Sequence, residues 1–318
     1  MDCINKSLLR VVYGDYTLGV HGKGFDYIFS YAQGGLESLV RDGYEWLYRC
    51  PKPTFWRALT DNDRGSGFHI KSGSWLAADM FIGCKDIEVV TDGVSQGKPC
   101  APYNNCYGAD MYAEEVSVRF TYETITNPTT LVDVVYIVEQ TGSIMVKVHY
   151  HGEKGLPELP AFGMRFVMPT NADKYVYEGL SGETYPDRKM GAEHGIFEVD
   201  DLSLTPYLVP QECGMRMDTD WLEVTRHTSL DNSRKNSVTG TLRFEKTDNA
   251  LAFSCLPYTA SEIENATHQE ELPPARRTVL CIYGAVRGVG GIDSWGSDVE
   301  APYHISAEED IIFEFRIL

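Results

Sequence analysis

The feature that most constrains this chain is a succession of short segments rich in alternating or β-branched apolar residues. Glycine, asparagine and aspartate separate these segments, as is typical between β-strands. No alternation of strand and helix patterns appears, so the sheets are predicted to be mainly antiparallel. The segments are residues 8–13, 27–31, 37–40, 116–122, 131–138, 144–150, 239–244, 278–285 and 311–317. They predict an all-β protein built as a large antiparallel β-sandwich.

Helix signals are few. Residues 75–81 have the pattern of two helical turns, and Thr259 followed by Glu262 forms a capping-box pattern that predicts a short helix running toward His268. No linker or internal repeat divides the chain, so one domain covering residues 1–318 is expected. The stretch 93–108 is interpreted either as a long loop or as an internal seam.

The composition excludes several classes of partner. The chain has 318 residues, a formal charge of −18 and 43% hydrophobic residues. The acidic excess repels phosphate backbones and anionic lipids, so neither nucleic acid nor a membrane surface is an expected partner. The start of the chain lacks the apolar core of a signal peptide, and its eight cysteines include no C-x-x-C pair. A cytoplasmic location with reduced thiols is expected.

Trp295 is the leading candidate for ligand binding. It lies at the end of a run from Arg287 to Gly296 in which small residues flank a large aromatic ring, which predicts a displayed side chain on a loop. A flat aromatic face suits the C–H face of a sugar, and Asp293 and Ser294 are expected to position the ring or to hydrogen-bond hydroxyl groups. The alternative is that Trp295 is a partly buried anchor at the sandwich edge.

A polar segment, residues 57–67, follows the aromatic pair Phe55-Trp56 and is interpreted as a loop. Asp61, Asn62 and Asp63 are expected to satisfy backbone donors in a tight turn. A calcium loop is rejected, because the glycine stands one place early and the twelfth position is Ser72 instead of a bidentate carboxylate.

Three carboxylates lie close together in sequence, at Glu178, Glu183 and Asp187. Glycoside cleavage requires a pair of carboxyl groups, but sequence spacing cannot show the required separation of roughly 5–10 Å across a sugar. Asp187 beside Arg188 is interpreted as holding a turn.

Two groups of residues resemble metal half-sites. His149 and His151 are expected to share a strand face, while Glu264, His268 and Glu271 are expected to share a helix face. Neither group has a clear third partner in the sequence, so hydrogen-bonded structural histidines are favoured and no metal site is predicted in this chain.

Five segments, taken together, carry a family resemblance. They are Phe-Trp-Arg-Ala-Leu-Thr-Asp-Asn-Asp (55–63), Leu-Pro-Ala-Phe-Gly-Met-Arg-Phe (159–166), Gly-Glu-Thr-Tyr-Pro-Asp-Arg (182–188), Pro-Gln-Glu-Cys-Gly (210–214) and Gly-Gly-Ile-Asp-Ser-Trp (290–295). In order and kind they resemble the C-terminal domain of large bacterial β-galactosidases. Because the chain opens with its own methionine and ends where that domain ends, it most resembles the small subunit of two-chain β-galactosidases.

The resemblance implies a large antiparallel supersandwich similar to galactose mutarotase. It implies that this chain carries no catalytic residue and no cofactor, since both catalytic glutamates and the magnesium and sodium sites would be on the large subunit. Trp295 matches a tryptophan that stacks on the sugar, and Gly65, beside Arg64, matches a glycine in a mobile active-site loop. Arg64 and residues 66–70 depart from the best-known relative, so the loop's motion is not carried over.

The resulting hypothesis is a small subunit of a heteromeric β-galactosidase that is inactive alone and acts on galactosides such as lactose with its large-subunit partner. The surface that docks the large subunit is expected to show as exposed apolar surface on the isolated chain. Two alternatives stay open: a carbohydrate-binding module without a catalytic partner, and a mutarotase-type sugar epimerase using His149 or His151 with a glutamate.

Overall fold

The structure, a computed structural model, describes residues 8–101, 108, 111–230 and 239–318. These residues form β-strands in three sheets, with a few short helices. In chain order the strands are β1 (Leu9–Tyr13), β2 (Thr17–Gly22), β3 (Phe25–Ser30), β4 (Gly35–Arg41), β5 (Tyr44–Glu45), β6 (Arg49–Thr54), β7 (Gly83–Thr91), β8 (Val94–Gly97), β9 (Met111–Ala113), β10 (Glu115–Glu123), β11 (Leu131–Glu139), β12 (Ile144–Tyr150), β13 (Ala161–Met168), β14 (Lys174–Leu180), β15 (His194–Val199), β16 (Met215–Thr219), β17 (Trp221–Arg226), β18 (Gly240–Lys246), β19 (Leu251–Leu256), β20 (Thr278–Val286) and β21 (Ile311–Ile317).

All three sheets are antiparallel. The largest has ten strands in the order β15-β14-β17-β18-β21-β12-β11-β10-β7-β8. A six-stranded sheet has the order β5-β4-β3-β2-β1-β9, and a five-stranded sheet has the order β16-β19-β20-β13-β6. Each of the nine segments predicted from the sequence corresponds to a strand. The prediction of an all-β protein with large antiparallel sheets is therefore confirmed.

One large apolar core contains side chains from all three sheets. The strand β11 shows how the sequence pattern produces it: Val132, Val134, Tyr136 and Val138 are buried, while the residues between them are partly exposed. This period of two places one face of the strand in the core and the other toward solvent. The same pattern made β10, β11 and β12 easy to predict.

The five-stranded sheet is covered on both faces. Phe253 and Ile282 belong to the main core, whereas Cys281 and Tyr283 belong to a second cluster that also contains Tyr185. Strands buried on both faces lose the alternation of apolar and polar residues. All six residues of β19 are buried, which is why the sequence pattern missed it. Val286, at the end of β20, and Val289, in the segment that continues toward Trp295, pack against this second cluster.

The polar segment 57–67, predicted to be a loop, instead contains a helix, so that prediction is wrong. Helix α1 (Asp61–Ser66) begins after Thr60, whose side chain accepts from the Asp63 N–H, while the Asp63 carboxylate accepts from the Thr60 N–H. This reciprocal capping box uses aspartate where glutamate or glutamine is usual. A second short helix, α2 (Phe68–Lys71), follows Gly67.

The other helix predictions had mixed outcomes. Helix α3 (Ala260–Asn265) begins after Thr259 with the expected capping box, but it ends before His268, which starts a 3-10 turn (Gln269–Glu271). The prediction that Glu264, His268 and Glu271 share a helix face is therefore wrong. Residues 75–81 do not form the predicted helix. A 3-10 turn ends at Trp75, and Ala77 has a φ of +62°, which interrupts a right-handed helix.

The stretch 93–108 includes β8, but residues 102–107 lie outside the described residues.

The six described cysteines are free thiols, three of them buried, while Cys3 and Cys106 are not described. Within the described ranges, no helix combines the length and apolar character needed to cross a membrane.

Candidate functional site

Trp295 lies on a loop that follows β20, and 90% of its surface is exposed. The Asp293 carboxylate accepts hydrogen bonds from the Trp295 N–H (2.9 Å), the Ser297 N–H (3.3 Å) and the Ser297 hydroxyl (2.5 Å). The bonds from Ser297 and then Trp295 lower the pKa of Asp293. Ser294, the residue before Trp295, is also exposed. The alternative interpretation, in which Trp295 is a partly buried anchor, is wrong.

The Trp295 loop contacts the end of helix α1 through two glycines. Gly296 has a φ of +81°, and a Cβ atom built on it would lie 2.8 Å from the carbonyl oxygen of Gly65. A Cβ atom on Gly65 would meet the Gly296 Cα at 3.6 Å, which is ordinary contact. Glycine is therefore required at 296 by both conformation and space. The structure brings Gly65 beside the loop that carries Trp295.

Arg64, the other residue predicted to lie in this region, pairs with two carboxylates. Its guanidinium lies 3.5 Å from Asp61 and 3.7 Å from Glu264 on α3. Glu264 also accepts a hydrogen bond from the Leu59 N–H at 2.7 Å. Through these contacts Glu264 connects α3 to α1 and to the residues that precede α1.

A buried ion network supports α1 and the start of the Trp295 segment. One oxygen of Asp63 lies 3.1 Å from the Arg57 guanidinium and 3.3 Å from that of Arg287, and these three side chains are at most 2% exposed. Arg287 also pairs with Asp298 and lies over the ring of Phe68, 3.8 Å from its centroid. The predicted role of Asp63 as a backbone acceptor is thus only part of its role.

Asp187 and Arg188 hold the backbone of the same segment. The Asp187 carboxylate accepts from the N–H groups of Val289 (3.0 Å) and Gly290 (2.8 Å), and Arg188 donates to the Gly290 carbonyl. Asn62 on α1 donates to the Val289 carbonyl at 2.9 Å. Four of the segments that carried the resemblance therefore meet around the base of this loop, including Gln211, which accepts from α1.

The other two carboxylates of the 178–188 region are also engaged in local structure. Glu183 accepts from the Thr205 hydroxyl and the Gly214 N–H, each at 2.8 Å. Glu178 accepts from the indole N–H of Trp221 at 2.7 Å. Glu178 thus connects β14 to β17, and Glu183 connects its own loop to the segments of Thr205 and Gly214.

The family is established by comparison with known proteins. The family model described as beta galactosidase small chain matches residues 21–317. The chain belongs to that family. It is 58% identical over 309 residues to the β-galactosidase small subunit of Latilactobacillus sakei, with 97% of each chain covered. It is 35% identical to the β-galactosidase of Halalkalibacterium halodurans over 98% of this chain, which is 28% of that longer protein.

Among solved structures, a galactose mutarotase-like protein from Lactobacillus casei aligns over 95% of this chain and 99% of its own, with 10% identity and a TM-score of 0.40.

In this member of the β-galactosidase small-chain family, sequence reasoning missed a buried acid. Glu212 lies under the site, where the Tyr185 hydroxyl approaches it at 3.5 Å. Burial raises the pKa of Glu212 to about 8, although the positive charge of Arg57 opposes the shift. No local pattern marks a glutamate that becomes buried through contacts with distant segments.

The raised pKa of Glu212 predicts a pH-dependent stability. At Glu212 the folded chain retains a proton that the unfolded chain releases above about pH 4.3, so the contribution of this residue to stability falls as pH rises from there to about 8. Glu212→Gln removes this titration. We expect its urea midpoint, relative to wild type, to rise steadily between pH 5 and pH 8 as judged by circular dichroism. Parallel midpoints for the two proteins across this range would show that Glu212 titrates normally.

Proposed function

We propose that this chain is the non-catalytic small subunit of a cytoplasmic, heteromeric β-galactosidase. It would complete the active site of a large subunit that hydrolyses terminal β-D-galactosides such as lactose, or transfers the galactose to another sugar. The observation that carries the proposal is Trp295, a nearly fully exposed aromatic ring on a loop fixed by Asp293, Asp187 and Arg188. Rigid exposed aromatics of this kind supply binding area at low entropic cost.

The carboxylates of this chain support the proposal that catalysis belongs to the large subunit. Retaining glycoside hydrolysis needs one carboxylic acid to protonate the leaving oxygen and a carboxylate about 5 Å away to attack the sugar. Glu178, Glu183 and Asp187 are each held by donors from neighbouring segments. In the proposal, both catalytic glutamates and the magnesium and sodium ions belong to the large subunit. Trp295 supplies binding energy from this side of the pocket.

Exposed apolar residues beside the site support docking of a partner. Ile70, Leu76, Met80 and Phe81 are 78%, 49%, 61% and 63% exposed within one short segment. The segment adjoins the Trp295 region, because Lys71 lies 3.4 Å from Asp298. Such a concentration of exposed apolar surface is typical of a subunit interface. A large subunit docked here would bring its catalytic groups toward Trp295.

The epimerase alternative has less support. It requires a general acid and a base that converge in one cleft. The carboxylates nearest His149 and His151 are those of Asp310 and Asp133, on the solvent-facing side of the ten-stranded sheet, and not glutamates.

The decisive experiment compares hydrolysis of a chromogenic β-galactoside by this chain, by its large subunit and by the two expressed together. We expect activity in the mixture and at least a hundredfold less in either chain alone, a gap of about 3 kcal/mol in transition-state stabilisation. Full activity of the large subunit alone would overturn the proposal and favour a carbohydrate-binding module. Activity of this chain alone would require a catalytic pair within it.

A further inference from the structure

A second cluster of chemically reactive side chains lies on the outer face of the ten-stranded sheet. Asp133 on β11 pairs in register with His149 on β12, and His151 follows at the end of β12. Asp310 immediately precedes β21, which pairs with the other edge of β12. Two histidines and two aspartates therefore meet on adjacent strands. The sequence predicted that His149 and His151 share a face, and this is confirmed: their ring centroids are 3.9 Å apart.

The four side chains form two histidine–aspartate pairs whose imidazole rings lie side by side. His149 Nε2 lies 2.8 Å from Asp310 Oδ2, and His151 Nε2 lies 2.8 Å from Asp133 Oδ2. The ligand atoms offered by Asp133, His149 and His151 all lie within 4.8 Å of one another. We propose that these four residues form a binding site for a divalent transition-metal ion such as Zn²⁺.

The dimensions suit this ion. Zinc binds imidazole nitrogen and carboxylate oxygen at about 2.0–2.2 Å, so neighbouring ligand atoms of a tetrahedral site lie about 3.3 Å apart. The two nitrogen–oxygen distances of 2.8 Å need to open by about half an ångström to reach that geometry, and the wider separations need to close. Rotation of partly exposed side chains supplies movements of this size. Imidazole ligands favour zinc, copper or nickel over magnesium or calcium.

Both carboxylates are already oriented by other donors. The Thr121 hydroxyl donates to Asp133 Oδ1, and Arg119 lies 3.7 Å from the same oxygen. The Gly152 N–H donates to Asp310 Oδ1 at 2.8 Å, which together with His149 lowers the pKa of Asp310. In each aspartate, one oxygen is fixed and the other points at a histidine. This is the outer-shell arrangement that positions ligands in metal sites.

The other comparable cluster of the described residues is a weaker candidate. Glu178, His194 and Asp220 also bring ligand atoms within 4.8 Å. It contains only one histidine, its Glu178 is held by the Trp221 indole, and its Asp220 is paired with Lys246. A cation there would have to displace an ammonium group. The cluster around His149 and His151 has two imidazoles and two acids, so it is the better ligand set.

A metal at this site would link three segments of the ten-stranded sheet: β11, the end of β12 and the start of β21. His149 and His151 are 33% and 38% exposed, so solvent and ions have direct access. None of the four residues belongs to the network beneath Trp295. The ion would therefore act on the stability of this sheet, and its binding is separable from the galactosidase proposal.

The test is calorimetric titration of the chelator-treated full chain with ZnCl₂, supported by the visible absorption of a Co²⁺-substituted sample. We expect one Zn²⁺ per chain, with affinity reduced at least about tenfold by His149→Gln or by His151→Gln and lost in the double variant. The ion should also raise the melting temperature of wild type but not of the double variant. The visible absorption that Co²⁺ shows when bound to nitrogen ligands should appear in wild type and be absent from the double variant.

The matched controls are His194→Gln and His268→Gln, which each remove one histidine outside the cluster, with side chains 47% and 62% exposed. Both should bind Zn²⁺ as wild type does. Asp310→Asn, at an exposed position, tests the fourth ligand with little risk to folding. Equal Zn²⁺ stoichiometry and affinity in wild type and the double variant would overturn the proposal, because any binding by the cysteines or elsewhere is common to both. In that outcome the residues form two ordinary histidine–aspartate pairs.

Discussion

Asp63→Asn is expected to lower the free energy of unfolding by about 3–5 kcal/mol, because it removes one charge from a buried ion network. Asparagine fills the same space, so the loss does not come from a cavity; it reports the charge together with the second carboxylate oxygen, since Oδ2 accepts from the Thr60 N–H. Arg287 retains Asp298, but Arg57 retains only a hydrogen bond to the Gly288 carbonyl among the contacts described. Most of the expected loss in the free energy of unfolding comes from leaving the buried Arg57 guanidinium without a carboxylate partner. Urea denaturation followed by circular dichroism measures the change.

Asp61→Asn is the matched control on the same helical turn. The Asp61 side chain is 74% exposed and its only described ion pair is with Arg64 at 3.5 Å. Exposed pairs of this kind contribute little, so a change within about 0.5 kcal/mol is expected. If Asp63→Asn destabilises the chain no more than Asp61→Asn does, the network is not a source of stability. The comparison also tests whether burial determines the effect, because both substitutions remove one charge from the start of α1.

Trp295→Ala, in contrast to Asp63→Asn, is expected to cause a large loss of activity and little loss of stability. The ring is 90% exposed, so its removal should change the free energy of unfolding by less than about 0.5 kcal/mol. A tryptophan that contacts the substrate as proposed contributes about 2 kcal/mol or more, as buried tryptophans do in binding interfaces. This corresponds to a loss of about 30-fold in kcat/KM, mainly through KM.

Trp295→Phe is the matched control, because it keeps a flat aromatic face on the same loop. It should retain most of the affinity that Trp295→Ala loses. The measurement is the KM for a galactoside in the assembled enzyme, at several concentrations of the small subunit. If Trp295 acts by docking the large subunit, saturating concentrations of this chain will restore the wild-type KM. A raised KM that persists at saturation supports contact with the substrate.

Much of the fold could be predicted from the sequence because half-buried strands carry a local signal. In β10, β11 and β12 the alternation of apolar and polar residues reflects one face in the core and one toward solvent. The helix α3 was likewise predicted from a capping box that involves residues three apart. Both signals depend only on neighbouring residues, so the sequence contains them in full. The exposure of Trp295 was predicted for the same reason, from the small residues that flank it.

The tertiary structure decided the features that depend on partners far apart in sequence. Arg57 and Arg287, which are 230 positions apart, share one buried aspartate, and Asp187 holds the backbone of Gly290. Glu212 became buried by the same convergence. The proposed third ligand beside the histidine pair, Asp133, is a cross-strand neighbour and not a sequence neighbour. Periodicity and capping are local, whereas burial of a charge and the meeting of ligands are set by strand pairing and packing, which only the folded chain specifies.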